Sequence, residues 1–324
     1  METIQATRHA EKRNTGTPLD LSWVEETHIN PSATARRAAT LGTRRSVKKE
    51  WQAAWLLRAI TCTDLTTLAG DDTPGNVRRL AAKALNPVRQ DILDALGMGD
   101  ADITTGAVCV YHERIEDALA IVGDKVPVAA VSTGFPAGQS PYKQRIEEIK
   151  SSVAAGASEI DIVISREHVL TGNWEALYNE VCEMRMACGD AHMKTILATG
   201  ELGPIWNVSK ASKVCMMAGA DFIKTSTGKE SVNATLEVSL VMTRAIRDYL
   251  ERTDMKVGFK PAGGIRSAKQ ALNWQILMKE ELGNDWLMPN LFRFGASSLL
   301  TDIERQLSHY ATGHYAAAHH MPMG

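Results

Sequence analysis

Two lysines that end short apolar runs are the residues of this sequence best suited to chemistry. Lys224 ends the run from Ala220, Lys260 ends the run from Val257, and each precedes a loop rich in Gly or in Ser and Thr. Side chains alternate along a strand, so Lys224 shares the face of Phe222 and is predicted to point inward. Lysine is rarely fully buried, so an inward lysine is either a core residue paired with a carboxylate or an amine nucleophile whose charge is suppressed.

Two such lysines that point into one space favour the second interpretation, an amine nucleophile. Each cation disfavours protonation of its neighbour, so each is expected to lower the pKa of the other. A free lysine, with a pKa of about 10.4, is almost wholly ammonium at neutral pH and unreactive. The pair Lys224 and Lys260 therefore predicts an amine nucleophile that works at neutral pH.

Five motifs follow one another along the chain: DLTTL at 64–68, SEIDIVI at 158–164, FIKTSTGK at 222–229, VGFKPAGGIR at 257–266 and FGASSLL at 294–300. Together they closely resemble the deoxyribose-phosphate aldolase family. The resemblance implies a class I aldolase on a TIM barrel. It would cleave 2-deoxy-D-ribose 5-phosphate reversibly to D-glyceraldehyde 3-phosphate and acetaldehyde, in deoxyribonucleoside catabolism. It also implies that Lys224 forms the Schiff base, and that Asp161 and Lys260 move protons around it.

The resemblance implies no metal and no other cofactor, because the Schiff base itself serves as the electron sink. The nine histidines show no HExxH spacing, and the five cysteines show no zinc-binding spacing. The expected partners are small molecules, namely the phosphorylated deoxy sugar and acetaldehyde.

Charged side chains inside the predicted strands form a second set of candidates. Asp161 lies between two isoleucines that can face the helices, which turns Asp161 inward. Alternation points three more charged side chains inward, and these are Asp64, Glu159 and Lys194. We expect these three to form a buried polar layer that orients Asp161 and Lys260, because buried charges must be paired. The alternative is exposure at the bottom of the barrel.

Three glycine-containing turns predict a phosphate site. Two follow strands seven and eight, a frequent phosphate position in barrels, where backbone N–H groups and a helix N-terminus bind the anion. The third follows strand six and adds the charge of Lys229. The expected phosphate-binding residues are Gly228, Lys229, Gly263, Gly264, Arg266, Gly295, Ser297 and Ser298. For Arg266, a position on the helix surface is the alternative.

Analogy with the family also concerns the rest of the pocket. Thr66 and Cys109 are expected to line it near strands one and two, although Cys109 is otherwise a plausible small core residue. Bacterial family members end in a tyrosine that reaches the active site, whereas this chain ends in Met-Pro-Met-Gly, with Tyr310 and Tyr315 further back. This difference leaves a catalytic role of the tail open. Together with the N-terminal extension, it makes the chain resemble a eukaryotic-type member of the family.

The elements that would position these residues alternate between strand and helix. Strands are predicted at 62–65, 107–111, 128–132, 159–164, 194–198, 222–224, 257–260 and 291–294. Eight such units indicate parallel strands with helices outside, and hence an α/β fold, a (β/α)8 TIM barrel with an N-terminal extension. A doubly wound sheet is the alternative, but no GxGxxG follows the first strand. In a barrel the active site lies at the carboxyl ends of the strands, where the two lysines are placed.

Composition limits the class of protein. A net charge of −2 gives no reason to expect nucleic acid or an acidic membrane as a partner, and no apolar run is long enough to cross a membrane. The N-terminus lacks the apolar core of a secretory signal, and the odd number of cysteines indicates reduced thiols. We therefore expect a cytoplasmic enzyme, and the sequence leaves homo-oligomerisation open.

The chain divides into three predicted segments. Residues 1–46 form a polar, partly ordered extension in which Pro18 and Pro31 break any long helix. Residues 47–312 form the barrel, and residues 313–324 form a tail. Basic pairs in the extension allow a nucleic-acid or nuclear-targeting interpretation, but a solvated extension is favoured because no set of stacking aromatics accompanies them.

Two other functions stay open. One is a Schiff-base aldolase with a different phosphorylated acceptor, which identification of the products would distinguish. The other is an inactive barrel that binds sugar phosphates or scaffolds other proteins. The pattern of Lys224, Lys260 and Asp161 argues against inactivity, and a turnover assay tests it.

Overall fold

The computed structural model describes residues 13–321, in which eight parallel strands surround one axis. They are β1 (Thr63–Thr66), β2 (Ala107–Tyr111), β3 (Val128–Ser132), β4 (Glu159–Val163), β5 (His192–Ile196), β6 (Phe222–Lys224), β7 (Gly258–Lys260) and β8 (Phe294–Ala296). Their order in the sheet is β7-β6-β5-β4-β3-β2-β1-β8. Isolated bridges from Phe259 to Phe292 and from Ala262 to Gly295 join β7 to the β8 segment. The predicted (β/α)8 barrel is thereby confirmed.

Helices cover the outside of the sheet. They are α1 (Leu21–Glu25), α2 (Pro31–Arg44), α3 (Lys49–Thr61), α4 (Pro74–Leu85), α5 (Gln90–Ala95), α6 (Ile115–Val122), α7 (Tyr142–Ala154), α8 (Arg166–Leu170), α9 (Trp174–Ala187), α10 (Ile205–Met217), α11 (Leu236–Thr253), α12 (Ala268–Glu281) and α13 (Leu299–Thr312). None of the described helices is long and apolar enough to cross a membrane.

Capping residues fix where the helices begin. Thr73 and Ser267 form capping boxes at the starts of α4 and α12, and Thr235 accepts a hydrogen bond from the Val238 amide at the start of α11. Helix α11 therefore begins at Leu236 and not earlier. The preceding residues therefore remain in the loop that follows β6.

The last strand also differs from its predicted range of 291–294. The Leu291 carbonyl accepts a hydrogen bond from the Phe259 amide, and the Arg293 amide donates to the Phe259 carbonyl. The chain then passes to β1, where Phe294 pairs with Thr63. Residues 291–293 thus bond to β7 while 294–296 pair with β1, and this crossing closes the barrel.

The segment before the barrel packs on its helices. Trp23 and Leu41 are buried, and the Trp23 ring stacks on Tyr249 at 6.2 Å. Pro31 occupies the first turn of α2, a position that proline favours, so the helix begins there and none runs through Pro31. Residues 1–12 of the predicted extension lie outside the described residues. The boundaries of the three segments stay a prediction.

Residues 313–321 of the tail lie away from the carboxyl ends of the strands. Helix α13 starts beside them at Ser298 and carries the chain away, so Tyr310 is roughly 18 Å further along its axis. Tyr315 stacks on His309, and His319 lies against α4 and α5. The described part of the tail therefore sits towards the other end of the barrel.

Candidate active site

Lys224 and Lys260 end neighbouring strands and meet at one carboxylate. They are register partners across β6 and β7. Each donates from Nζ to Oδ2 of Asp161, and both distances are 2.7 Å. Lys260 is fully buried, whereas Lys224 is 3% exposed and reaches the cavity at the mouth of the barrel. Of the two amines, Lys224 is the one placed to meet a bound molecule.

Asp161 is held from below by Lys194. Lys194 Nζ donates to Oδ1 of Asp161 at 3.0 Å and to Oε2 of Glu159 at 2.5 Å. Asp64 forms an ion pair with Lys260 at 2.5 Å. The structure thus places Asp64, Glu159 and Lys194 together inside the barrel, next to Asp161 and Lys260, and not exposed at its bottom.

Arg293 belongs to the same charged layer, although it is not among the residues predicted from the sequence. Its Nη1 donates to Oδ1 of Asp64 at 2.6 Å, and its Nη2 donates to Oε1 of Glu159 at 2.9 Å. The signal was present, because Arg293 is a single charged residue between Phe292 and Phe294 in an apolar run, as Asp161 is between isoleucines. Alternation applied to the last strand would have added it to the layer.

Counting charges shows that one amine of the cluster can lose its proton without leaving an unpaired carboxylate. The cluster contains three carboxylates and four cations, and these are Asp64, Glu159, Asp161, Lys194, Lys224, Lys260 and Arg293. One cation therefore exceeds the carboxylates. A neutral amine at Lys224 would leave the buried cluster balanced, which is the arrangement that burial favours.

The two lysines are shifted in opposite directions. Burial lowers the pKa of Lys224 and the nearby charge of Lys260 adds to this effect, although Asp161 opposes both. Burial alone would lower the pKa of Lys260, but Asp161 and Asp64 outweigh it and raise the pKa. The net pKa of Lys260 is therefore raised, because two carboxylates contact it, whereas one contacts Lys224.

The carboxylates of the cluster stay ionised. Burial would raise the pKa of Asp161, but Lys194, Lys224 and Lys260 together hold it well below its usual value. Burial would likewise raise the pKa of Asp64, but the cations around it outweigh burial and lower the pKa of that carboxyl. Asp161 is thus an ionised carboxylate in contact with both amines.

Phe222 fills the interior beneath the lysines. A Cβ at Gly258, its register partner, would overlap the Phe222 ring, so only glycine leaves room for it. Lys194 Nζ and the guanidinium carbon of Arg293 each lie 6.0 Å from the ring centroid. The ring and the charged layer thus form a filled floor under Lys224.

A cavity of about 360 Å³ opens above Lys224. Its lining includes ten of the predicted residues, namely Thr66, Lys224, Gly228, Lys229, Gly263, Gly264, Arg266, Gly295, Ser297 and Ser298. Cys109 does not line it. The thiol is fully buried in an apolar cluster with Val131, Val163 and Ile196, and burial raises its pKa. The expectation that Cys109 lies beside a bound substrate stays a prediction.

The turns beside the cavity differ in what they offer an anion. The Gly228 amide donates to Glu230 at 3.1 Å and the Lys229 amide donates to Thr227 at 3.1 Å, so the loop after β6 already uses them. Side chains that remain exposed at the cavity are Lys229, Arg266, Ser297 and Ser298. The first turn of α13 also points its amides there. The cavity therefore has a positive rim on the sides of β6, β7 and β8.

At two positions in these turns, steric contacts explain why the residue is glycine. Gly263 has a φ of +82°, and a Cβ there would press on Asn233. A Cβ at Gly295 would meet Ala262 at 2.7 Å and the Lys260 side chain at 3.3 Å. Gly295 therefore leaves the space that Lys260 needs to reach Asp161.

The buried layer predicts a stability effect. Replacing Arg293 with Met should lower the free energy of unfolding by about 3 kcal/mol, because it leaves two buried carboxylates short of a cation. Urea denaturation measures this, with R305M on the exposed face of α13 as the matched control. A loss for R293M no larger than that of R305M would contradict the structural role given to Arg293.

Within residues 13–321, no group of three or more His, Cys, Asp or Glu side chains is placed to hold a metal ion. The charged cluster is instead an alternation of carboxylates with amines and a guanidinium. In it, the buried amine of Lys224 lies beside a carboxylate that a second amine also contacts.

Several known proteins are similar to this chain in sequence or in fold. A family model described as DeoC/LacD family aldolase matches residues 58–302. Deoxyribose-phosphate aldolase from Mus musculus is 63% identical over 311 residues, which cover 95% of this chain and 98% of that protein. The Homo sapiens deoxyribose-phosphate aldolase is 61% identical over 313 residues, covering 96% and 98%. The tetrameric deoxyribose phosphate aldolase from Aeropyrum pernix matches with a TM-score of 0.58 at 23% identity, covering 86% of this chain and 98% of that one, which shows the fold.

Proposed function

Because the chain belongs to the DeoC/LacD aldolase family, we propose that it cleaves 2-deoxy-D-ribose 5-phosphate to D-glyceraldehyde 3-phosphate and acetaldehyde, reversibly, through a Schiff base on Lys224. The observation that carries the proposal is the position of Lys224, the amine of the cluster that has a lowered pKa and reaches the cavity. The names of the relatives at 61–63% identity support the substrate. The reaction belongs to the breakdown of deoxyribonucleosides.

The reaction begins with the neutral amine. Lys224 Nζ attacks C1 of the open-chain sugar and forms a carbinolamine, whose hydroxyl leaves as water once it is protonated. Lys260 is the proton donor, because its raised pKa keeps it charged, and Asp161 bridges it to Lys224. The product of these steps is a protonated imine on Lys224.

Cleavage then uses the imine as an electron sink. A base removes the proton of the C3 hydroxyl, the C2–C3 bond breaks, and its electron pair moves into an enamine on Lys224. D-glyceraldehyde 3-phosphate leaves. Protonation of the enamine carbon restores an imine, and water releases acetaldehyde and regenerates the amine. Asp161 and Lys260 are the groups proposed to exchange these protons.

The positive rim of the cavity binds the phosphate in this proposal. Changing Lys229 and Ser298 together to Ala should lower kcat/KM for 2-deoxy-D-ribose 5-phosphate at least about tenfold, because a charge-assisted contact contributes about 1.5–3 kcal/mol. Turnover of unphosphorylated 2-deoxy-D-ribose should change little. Steady-state kinetics on both sugars measures the difference, and equal losses on both would remove Lys229 and Ser298 from the phosphate site.

Identification of the products tests the proposed function itself. The protein is incubated with 2-deoxy-D-ribose 5-phosphate, and NMR follows the appearance of acetaldehyde and D-glyceraldehyde 3-phosphate. Cleavage of another phosphorylated sugar with no cleavage of this one would favour the aldolase with a different acceptor. Binding of sugar phosphates without turnover would favour the inactive barrel.

The proposal extends to location and assembly. The expected cytoplasmic location stays a proposal, and cell fractionation tests it. Self-association stays a proposal that light scattering on the purified protein can test.

A further inference from the structure

Arg166 connects four loops at the mouth of the barrel. It is the first residue of α8, directly after β4. Its Nη1 and Nη2 donate to the carbonyls of Ala137 and Pro136, at 2.6 and 3.1 Å, in the loop after β3. Its Nε forms an ion pair with Glu201 at 2.6 Å, in the loop after β5. Its Nη2 lies 3.8 Å from Glu230, in the loop after β6.

Glu230 shapes the loop that carries Lys229. Its side chain is 2% exposed. Its carboxylate accepts hydrogen bonds from the amides of Thr227, at 2.9 Å, and of Gly228, at 3.1 Å. Thr227, Gly228 and Lys229 all line the cavity. Glu230 therefore fixes the backbone on which Lys229 projects towards a bound phosphate.

The position of Glu230 creates an electrostatic problem. A buried carboxylate beneath an anion-binding loop repels the anion unless a cation balances it. Arg166 is a cation in contact with Glu230, and it is itself only 14% exposed, so solvent screens the pair weakly. Arg166 thus acts on the loop in two ways, through contacts and through charge.

A close backbone contact joins the same loops independently. A Cβ at Gly200, in the loop after β5, would overlap the carbonyl of Val232 in the loop after β6. Glu201, the ion-pair partner of Arg166, is the next residue. The loops after β5 and β6 are therefore in contact beside the guanidinium, and a shift of one is transmitted to the other.

We propose that Arg166 is a positioning residue for phosphate recognition. It holds Glu230, and through Glu230 the Thr227–Lys229 loop, and it neutralises a carboxylate that would otherwise repel the phosphate dianion. Arg166 touches neither the reacting atoms nor the cavity lining, so its effect falls on binding of the phosphorylated end. This inference rests on the proposed function, because it requires a substrate with a phosphate.

The test compares R166M with the unaltered protein on 2-deoxy-D-ribose 5-phosphate and on 2-deoxy-D-ribose. We expect the KM of the phosphorylated sugar to rise about tenfold, which corresponds to about 1.4 kcal/mol, with kcat within about twofold. The kcat/KM of the unphosphorylated sugar should stay within about twofold. R79M, which removes an exposed arginine of α4, is the matched control and should change neither sugar.

A double-mutant cycle separates charge from general damage. E230Q keeps an acceptor for the loop amides and removes the negative charge, so R166M/E230Q should recover part of the KM lost in R166M. R166K, which keeps the charge and loses the two-pronged contact, should fall between R166M and the unaltered protein. R166K also provides the same comparison of the two sugars if R166M does not fold, as circular dichroism would show.

Three results would count against parts of this account. If the unaltered protein does not cleave the sugar phosphate, the proposed function fails, and this inference fails with it. If it does cleave, and R166M and R166K retain the unaltered preference for the phosphorylated sugar, the positioning role alone is wrong. If E230Q worsens the KM of R166M to the product of the separate effects, Arg166 does not act through Glu230.

Discussion

The K224R variant is expected to fold and to show no aldol turnover above the detection limit. Arg keeps a positive charge next to Asp161, which Lys224 contacts at 2.7 Å, so the ion pair of the barrel interior can persist. A guanidinium stays protonated at any pH the fold tolerates, so it has no free electron pair with which to attack an aldehyde. Without the carbinolamine there is no imine, and without the imine the C2–C3 bond has no electron sink.

Trapping with borohydride measures this directly. Acetaldehyde and borohydride should add the mass of one ethyl group to the unaltered protein, at Lys224, and nothing to K224R. The matched control is K213R, because Lys213 is also a buried lysine but lies on α10, beside Trp23 and Thr27. K213R should be trapped normally. An ethyl group found on Lys260 of the unaltered protein would move the nucleophile to β7 and reverse the roles of the two lysines.

In the K260M variant, kcat should fall by a factor of about 10² to 10⁴, which is the rate factor that a positioned proton donor contributes. Its pH dependence should change as well. The charge of Lys260 helps to lower the pKa of Lys224, so removing that charge raises the pKa of Lys224. Only the neutral amine attacks, so kcat/KM should rise with pH through the Lys224 pKa, and the rise in K260M should occur at higher pH than in the unaltered protein.

The pH–rate profile of kcat/KM distinguishes the two effects. K269M, which removes an exposed lysine of α12, serves as the control and should leave the profile unchanged. A rate loss in K260M without a shift of the profile would leave Lys260 as a proton donor that does not influence Lys224. An unaltered rate and profile would make Lys260 purely structural.

Alternation along single strands predicted much of the site. It identified Asp161 because two isoleucines flank it, and both are buried in the core outside the sheet. Alternation also points to Arg293, which Phe292 and Phe294 flank, but it does not give the bounds of the last strand, because the structure divides residues 291–296 between β7 and β1. Strand closure is a property of the whole barrel, and a local pattern does not contain it.

Properties that depend on several strands or loops at once could not be predicted from the sequence. The opposite pKa shifts of Lys224 and Lys260 follow from how many carboxylates surround each amine, and those come from β1 and β4. Arg166 meets Glu230 across 64 positions of the chain. A sequence pattern reveals neither the pKa shifts nor this contact, because both depend on which strands and loops the curvature of the barrel brings together.

The filled floor under Lys224 has a consequence for the order in which products depart. Phe222 and the charged layer occupy the interior below the amine, so in the proposed reaction water approaches the last imine from the mouth, through the space that D-glyceraldehyde 3-phosphate has vacated. The phosphorylated aldehyde leaves first and acetaldehyde second. An excess of the phosphorylated aldehyde would refill that space, keep water away and return the bound two-carbon fragment to sugar. One shared passage thus couples the release of acetaldehyde to the concentration of the other product.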